Sequence, residues 1–440
     1  MRITVPRILG VLVTALIVTY AFVLAPKLVH ENIASEAPGV GPIPEEQPPP
    51  TWLEQRIQVE PTQVFPEAGK TFLGIMTSRG SYDLGPVDEF SEAVEREPQV
   101  LQFSVGWADS PFDRRLFDQV AKRGMMPLLA WEPWDFRKEN PVEELRGLQP
   151  EYALTNIISG KFDAYITSWA QGVKELGYPV GIRFAHEMNG FWYPWAAQAN
   201  GNTADQYIQA WRHVHDIFTA AGATDVTWVW SPNRDYENAT PLKSLYPGDE
   251  YVDWVGLSGY FGTKGVEQYK SFNEIFQPSV RQIREFTSRP IVVTETGAVD
   301  FDGMKAAWIT EMFRQLPENP DIIGVIWYEA RKEDEADWRI SVSESASTAY
   351  RAGMSAPRYD LKWTVNSTPL RELPPAAGAP PSAGPSASPS ASATTKPPTT
   401  KPPTTKAPTT TTKAPTGGST TKTTRPASRT STARATTTGS

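Results

Sequence analysis

Between residues 72 and 327 the chain repeats one pattern eight times. A short run of β-branched and aromatic residues is followed, in most cases, by a segment whose apolar positions recur at helical spacing. The strand-like runs are 72–77, 100–107, 126–131, 180–186, 226–230, 252–260, 291–295 and 322–327. After the third, Phe162, Tyr165, Ile166, Trp169, Val173 and Leu176 share one face of a helix expected over 161–176. Tyr207, Trp211, Val214 and Phe218 do the same after the fourth run, and Phe272, Ile275, Phe276, Val280 and Ile283 after the sixth. Ala307, Met312 and Phe313 mark a weaker face after the seventh. Strands that alternate with helices are parallel strands joined by right-handed crossovers. Eight such units closing on themselves make an α/β fold, a (β/α)8 TIM barrel, with an open doubly wound sheet as the main competitor. No glycine-rich phosphate turn follows the first run, which counts against a dinucleotide-binding version of that sheet.

Composition sets the limits of the barrel. From Pro374 onward the chain is Pro, Thr, Ala, Ser and Lys, with TTKPP at 394–398 and 399–403 and TTKAP at 404–408 and 411–415. Such a sequence has almost nothing to bury and favours polyproline-like extension. A second Pro-rich stretch covers 36–50. The expected layout is a signal peptide or signal anchor at 1–30 and a Pro-rich linker and lead-in at 31–65. A barrel domain at 66–370 and a disordered Pro/Thr/Ser/Lys-rich tail at 371–440 complete it.

Charge divides near the same place, since no acid follows Glu372 while eight of the 42 basic residues do, which leaves 34 basic against 50 acidic residues up to that point, a net −16. An acidic body argues against nucleic acid, whose phosphates require clustered Lys and Arg. A neutral polysaccharide suits it better. The basic tail reads as solvated linker, with contact to an anionic cell-envelope polymer as the other reading. At the amino end Arg2 and Arg7 precede an uncharged run over 8–25, closed by Pro26 and Lys27. Its 18 residues exceed the roughly 7–15 of a signal core and approach the roughly 20 that span a bilayer, so cleaved signal and membrane anchor both stay open. In either case the rest is expected to be extracellular, secreted or anchored to the membrane by that segment. The chain has no cysteine, which removes thiol catalysis and Cys-ligated zinc. Its four histidines, His30, His186, His213 and His215, lack metal-ligand spacing, so no metal and no cofactor is expected. Glu333, Asp334, Glu335 and Asp337 form an acidic loop that reads as a solvated rim, with cation binding as the other reading. Asn238 and Asn366 sit in glycosylation-acceptor triplets, a pattern that recurs by chance.

In a barrel of this kind the chemistry lies at the carboxyl ends of the strands. There the runs end on Trp107, Trp131-Glu132-Pro133-Trp134, His186-Glu187, Trp230-Ser231-Pro232-Asn233, Tyr260, Glu295 and Trp327-Tyr328. Flat aromatic faces stack on pyranose C–H surfaces while polar edges take hydroxyls, and two carboxylates at one mouth are what cleavage of a glycosidic bond needs. Glu187 ends the fourth run and Glu295 the seventh. Across a barrel mouth such a pair can approach to about 5–5.5 Å, the separation that permits a covalent glycosyl-enzyme intermediate and retention of configuration.

Arg183-Phe-Ala-His-Glu-Met-Asn-Gly190, continued by Phe191-Trp-Tyr-Pro-Trp195, resembles the acid/base motif of glycoside hydrolase family 26. Val292-Val-Thr-Glu-Thr-Gly297 resembles that family's nucleophile strand. The resemblance runs in order over about residues 70–345. It implies a retaining endo-β-glycanase with Glu187 as general acid/base and Glu295 as nucleophile, exported if the amino-terminal run acts as read above. It further implies that His186 bonds near the reacting sugar, that Tyr260 holds the nucleophile, that Trp327 is the platform under the cleaved sugar, and that Trp192 and Trp195 wall neighbouring subsites. Trp131, Trp230 and Asn233 complete the expected substrate-binding set. Many mannanases of the family carry histidine where this chain reads Trp131-Glu132-Pro133, a strand end more like the family's mixed-linkage β-glucanases. Glu132 is expected either to accept sugar hydroxyls or to pair with an arginine. β-1,3-1,4-Glucan is therefore slightly favoured over β-1,4-mannan. A non-catalytic glycan-binding scaffold and a transglycosylase stay open as alternatives.

Overall fold

The computed structural model describes residues 48–373, apart from 109, 139, 141, 143, 144, 263–267 and 333–335. The expected export segment at 8–25, the lead-in up to residue 47 and the tail beyond 373 lie outside the described residues, as do Glu333, Asp334 and Glu335. No helix among the described residues is long and apolar enough to cross a membrane.

All eight runs become strands: β1 (Phe72–Thr77), β2 (Val100–Gly106), β3 (Met126–Glu132), β4 (Val180–Phe184), β5 (Val226–Trp230), β6 (Trp254–Phe261), β7 (Ile291–Ala298) and β8 (Ile322–Glu329). They pair in parallel in chain order, and β8 returns to β1 with Phe72 opposite Gly324 and Met76 opposite Tyr328, so the sheet closes. Closure leaves no unpaired edge, and the helices cover the outward faces of near-continuous apolar strands.

The helical faces read from the sequence are the buried ones. In Asp163–Leu176, Ala204–Ala221 and Phe272–Ile283 the positions singled out by spacing face the barrel, and Phe162, just before the first of these, is buried too. Capping boxes start the second and third: Thr203 with Gln206, and Ser271 with Glu274. Ala307 is a correction. In Met304–Gln315 the buried face is Lys305, Trp308, Ile309, Met312 and Phe313, and Ala307 is exposed. Consecutive residues on a helix are turned by about 100°, and Ala307 falls off the i, i+3, i+4 series that contains Trp308. β5 and β6 are joined without an α-helix, through the short 3-10 turns Leu242–Leu245 and Asp249–Tyr251.

The packed body also begins earlier than residue 66. Thr51–Val59 is a helix with Leu53 buried and Trp52 against Tyr178, because its apolar residues have the barrel's lower rim to cover. Gln63–Phe65 then pairs in parallel with Ser367–Pro369, and the Trp254 indole donates to the Leu370 carbonyl at 2.8 Å. These segments close the amino-terminal end of the barrel, opposite the strand ends that carry the glutamates.

At that closed end the Phe72 ring lies on Gly324 so tightly that a Cβ there would overlap its carbons. Gly324→Ala is expected to lower stability by about 1–3 kcal/mol, the usual cost of overpacking. Thermal and urea melts of the purified domain check this; an unchanged midpoint would mean that the ring relocates freely.

Candidate active site

β4 stops two residues short of the expected end because the backbone turns. Ala185 and Glu187 both take positive φ, 44° and 54°, and the Glu187 N–H donates to the Ser231 carbonyl at 2.7 Å. Left-handed backbone at a residue with a Cβ costs about 1–3 kcal/mol and persists only where neighbours enforce it. Here it directs the carboxyl toward the mouth. Glu187 Oε1 accepts from Asn233 Nδ2 at 3.0 Å and Oε2 from the Trp192 indole at 2.9 Å. Asn233 is fixed in turn by Asn189, whose amide exchanges two hydrogen bonds of 2.9 Å with its backbone. Burial first, and the neighbouring Glu295 charge second, raise the Glu187 pKa above the ordinary carboxyl value.

Glu295 reaches the same mouth through an irregularity in β7. On the β6 side Leu257 faces Val293 but Ser258 faces Glu295, so Thr294 is an extra residue, and the β7–β8 register shifts over the same positions. A bulge of this kind re-aims a side chain. The Tyr260 hydroxyl donates to Glu295 Oε1, and Arg183 Nη1 donates to Oε2 at 3.0 Å. Arg183 is fully buried, and its remaining donors reach Ser231 Oγ at 2.9 Å through Nε and Ser258 Oγ at 2.6 Å through Nη2. One guanidinium thus ties β4, β5, β6 and β7 together beneath the two carboxyls.

A cavity of about 550 Å³ opens beside Glu295, with Ser104, Glu132, His186, Tyr193 and Tyr328 among its lining. His186 is buried against Tyr193 and Trp195, with ring centroids 5.0 and 5.9 Å away. Burial, then Arg183, holds its pKa well below the usual imidazole value, so the ring is neutral. Its Nδ1 finds no partner among the described residues. Glu132 accepts from the Trp134 indole at 2.8 Å and is pushed up to about 7, mainly by burial.

Of the residues expected here, the fold brings together Glu187, Glu295, His186, Tyr260, Glu132, Trp192 and Asn233. Four tryptophans are corrections. Trp131 packs among Tyr165, Trp169 and Phe218, Trp230 against Tyr246 and Phe286, and Trp327 against Trp308 and Tyr350, all fully buried between strands and helices. Successive side chains of a strand point to opposite faces, so the residue beside each is the one facing inward: Glu132, Ser231 and Tyr328. Trp195 is also buried; it stacks beneath Tyr193 at 4.4 Å and donates to the His186 carbonyl at 2.6 Å, a support behind the cavity wall. Arg183, Asn189 and Tyr193 lie inside the 183–195 motif and Tyr328 at the Trp327-Tyr328 strand end, but none of them was given a role of its own from sequence. An arginine inside an otherwise apolar strand was the available signal, because a buried cation requires partners. Trp338, beside both Tyr260 and Tyr328 at 5.2 and 5.5 Å, carried no such signal. Asp337, from the acidic loop, pairs with Arg339 at 2.7 Å.

The family described as Glycosyl hydrolase family 26 matches residues 147–352. The chain is 35% identical over 302 residues to Endoglucanase H of Acetivibrio thermocellus, which covers 66% of this chain and 31% of that protein. It is 27% identical to a mannan endo-1,4-beta-mannosidase of Bacillus subtilis, over 50% of this chain and 57% of the relative. The chain therefore spans between about a third and somewhat over half of these relatives. Its fold is that of the catalytic domain of the GH26 endo-beta-1,4-mannanase of Bacillus sp. JAMB-750, with a TM-score of 0.52, 17% identity, and 68% of this chain and 91% of that one covered.

Removing one partner of a buried ion pair leaves the other uncompensated, at a cost of about 3–5 kcal/mol. Arg183→Met should lose stability on that scale at neutral pH, and adding Glu295→Gln should recover part of it. Urea denaturation of the two single variants and the double variant reads the coupling, and strictly additive losses would deny it.

Proposed function

This chain belongs to glycosyl hydrolase family 26, and from that premise we propose that it is a retaining endo-β-glycanase with Glu187 as acid/base and Glu295 as nucleophile. The observation that carries this reading is the contrast between the two carboxyls. Glu187 is buried beside the Glu295 charge, which favours holding a proton although the Trp192 indole pulls the other way; Glu295 accepts from a guanidinium and a phenol, which fix its position.

In the first step Glu187 gives its proton to the glycosidic oxygen while a Glu295 oxygen attacks the anomeric carbon. The C1–O bond to the leaving sugar breaks and an ester forms. The Glu295 charge disappears with ester formation, so the Glu187 pKa falls and its carboxylate can take a proton from water. That water attacks the same carbon from the opposite side, the ester bond breaks, and configuration is retained. Tyr260 and Arg183 hold Glu295 in line, while Trp192 and Asn233 hold Glu187 over the leaving oxygen. The neutral His186 offers a hydrogen bond to the sugar.

We favour β-1,3-1,4-glucan over β-1,4-mannan. Glu132 lines the cavity from the Trp131-Glu132-Pro133 strand end, where many mannanases of the family carry histidine, and a relative of 35% identity is named an endoglucanase. The run at 8–25 with Arg2 and Arg7 before it supports export, with the barrel outside the cytoplasm. Fractionation of expressing cells tests this, and a cytoplasmic pool alone would overturn it.

Reducing-end release from mixed-linkage glucan, galactomannan and glucomannan tests the activity. Glu187→Ala should lower kcat roughly 10²–10⁴-fold, the usual share of general acid–base catalysis. Galactomannan as the sole substrate would reverse the glucan preference, and full activity in Glu295→Ala would overturn the mechanism. Activity should fall on the alkaline side as pH passes the raised Glu187 pKa, because only the protonated form acts as acid. In Glu295→Gln the neighbouring charge is gone, so the Glu187 pKa read by carboxyl-carbon NMR should move down; no movement would deny the coupling.

A further inference from the structure

We propose that Tyr82 and Phe136 form a sugar-stacking subsite in the wall of the cavity, holding pyranose units of a β-glycan on the non-reducing side of the cleaved bond. The inference rests on the glycanase reading and adds a binding site to it. Both rings line the cavity that contains Glu295, and they are 62% and 52% exposed. Nearly every other large ring near the cleft is committed: Trp131, Trp195, Trp230 and Trp327 are buried and the Trp192 indole bonds Glu187. Tyr193 and Tyr328 are partly buried, alongside Glu132, His186 and Glu295.

The two rings bracket the carboxyl end of β2, and each is seated by a glycine. Tyr82 belongs to the turn Gly80–Tyr82, where Gly80 has φ +53° and lies so close to Phe103 that an added Cβ would come within 2.7 Å of its Cβ. The Phe136 ring lies on Gly106, the last residue of β2, where an added Cβ would be 2.7 Å from Cδ1. Each aromatic is thus held by local backbone while much of its surface stays in water. Exposed apolar rings continuous with a polar cleft mark a ligand surface, and a pyranose presents the flat C–H face that fits them.

Direction follows from the chemistry. The acid must sit over the leaving oxygen, which puts the departing sugar toward Trp192 and Asn233. The cavity is lined by Glu295, Tyr82 and Phe136 but not by Glu187, Trp192 or Asn233, so it receives the sugar that becomes esterified and the units before it.

Aryl β-glycosides of two and three glucose units, and of two and three mannose units, test this in the full chain. The third sugar should raise kcat/KM in the unaltered protein. Tyr82→Ala and Phe136→Ala should each remove roughly 10-fold of that gain, mostly through KM, with the melting temperature unchanged because both rings are exposed. Gly106→Ala, which displaces the Phe136 ring without removing it, should reproduce the loss. Retention of the full gain in all three variants would overturn the subsite. If the unaltered protein turns over no glycoside, calorimetry with mixed-linkage glucotetraose and mannotetraose decides. Binding weakened by Tyr82→Ala would support the subsite while the catalytic reading fails, and no binding of either would overturn the subsite as well.

Discussion

A guanidinium sealed inside a barrel must find an acceptor for its donors or destabilise the fold by several kcal/mol. Arg183 meets that requirement with one residue from each of three neighbouring strands, Ser231, Ser258 and Glu295. The positions of those residues are consequently fixed relative to one another. The same constraint explains why β7 carries its extra residue: the irregularity brings Glu295 opposite Ser258, where the arginine can bond both. Ser231 is held from the other side as well, by Thr294 Oγ1 at 2.8 Å, so the network closes on the strand that delivers the carboxylate.

The two carboxyls are a few strands apart in a shared field but have opposite surroundings. Glu187 sits on strained backbone, and the strain is stabilised by a peptide hydrogen bond to Ser231, the residue whose hydroxyl also serves Arg183. Both acids are therefore positioned through one residue at the end of β5. Disturbance of Ser231 would be felt at both. This makes the pair a single mechanical unit, in which a charge lost at one carboxyl changes the proton affinity of the other without any side chain needing to move.

The barrel was legible because its eight apolar runs and helical faces are periodic, and periodicity is a property that a sequence carries directly. The carboxyls were legible because motif and strand end coincided. What failed was the assignment of faces. Trp131, Trp230 and Trp327 do stand at strand ends, but a strand alternates with a period of two, and a one-residue difference separates core from cleft. The sequence near those ends contains an aromatic at one position and a polar or phenolic residue at the next, and pattern alone does not say which turns inward. Arg183 escaped notice because its role depends on partners 48, 75 and 112 residues away in the chain. Tyr82 and Phe136 lie in loops after strands, where neither period applies.

The pairing of Gln63–Phe65 with Ser367–Pro369 brings the two extremities of the folded body side by side at the floor of the barrel. The mouth is at the opposite pole. Anything joined to either extremity is therefore joined on the side away from the cleft. A long polymer lying in the cleft would then not have to pass either point of attachment. The separation of both extremities from the cleft is a property of strand direction, and it would hold for whatever occupies the cleft.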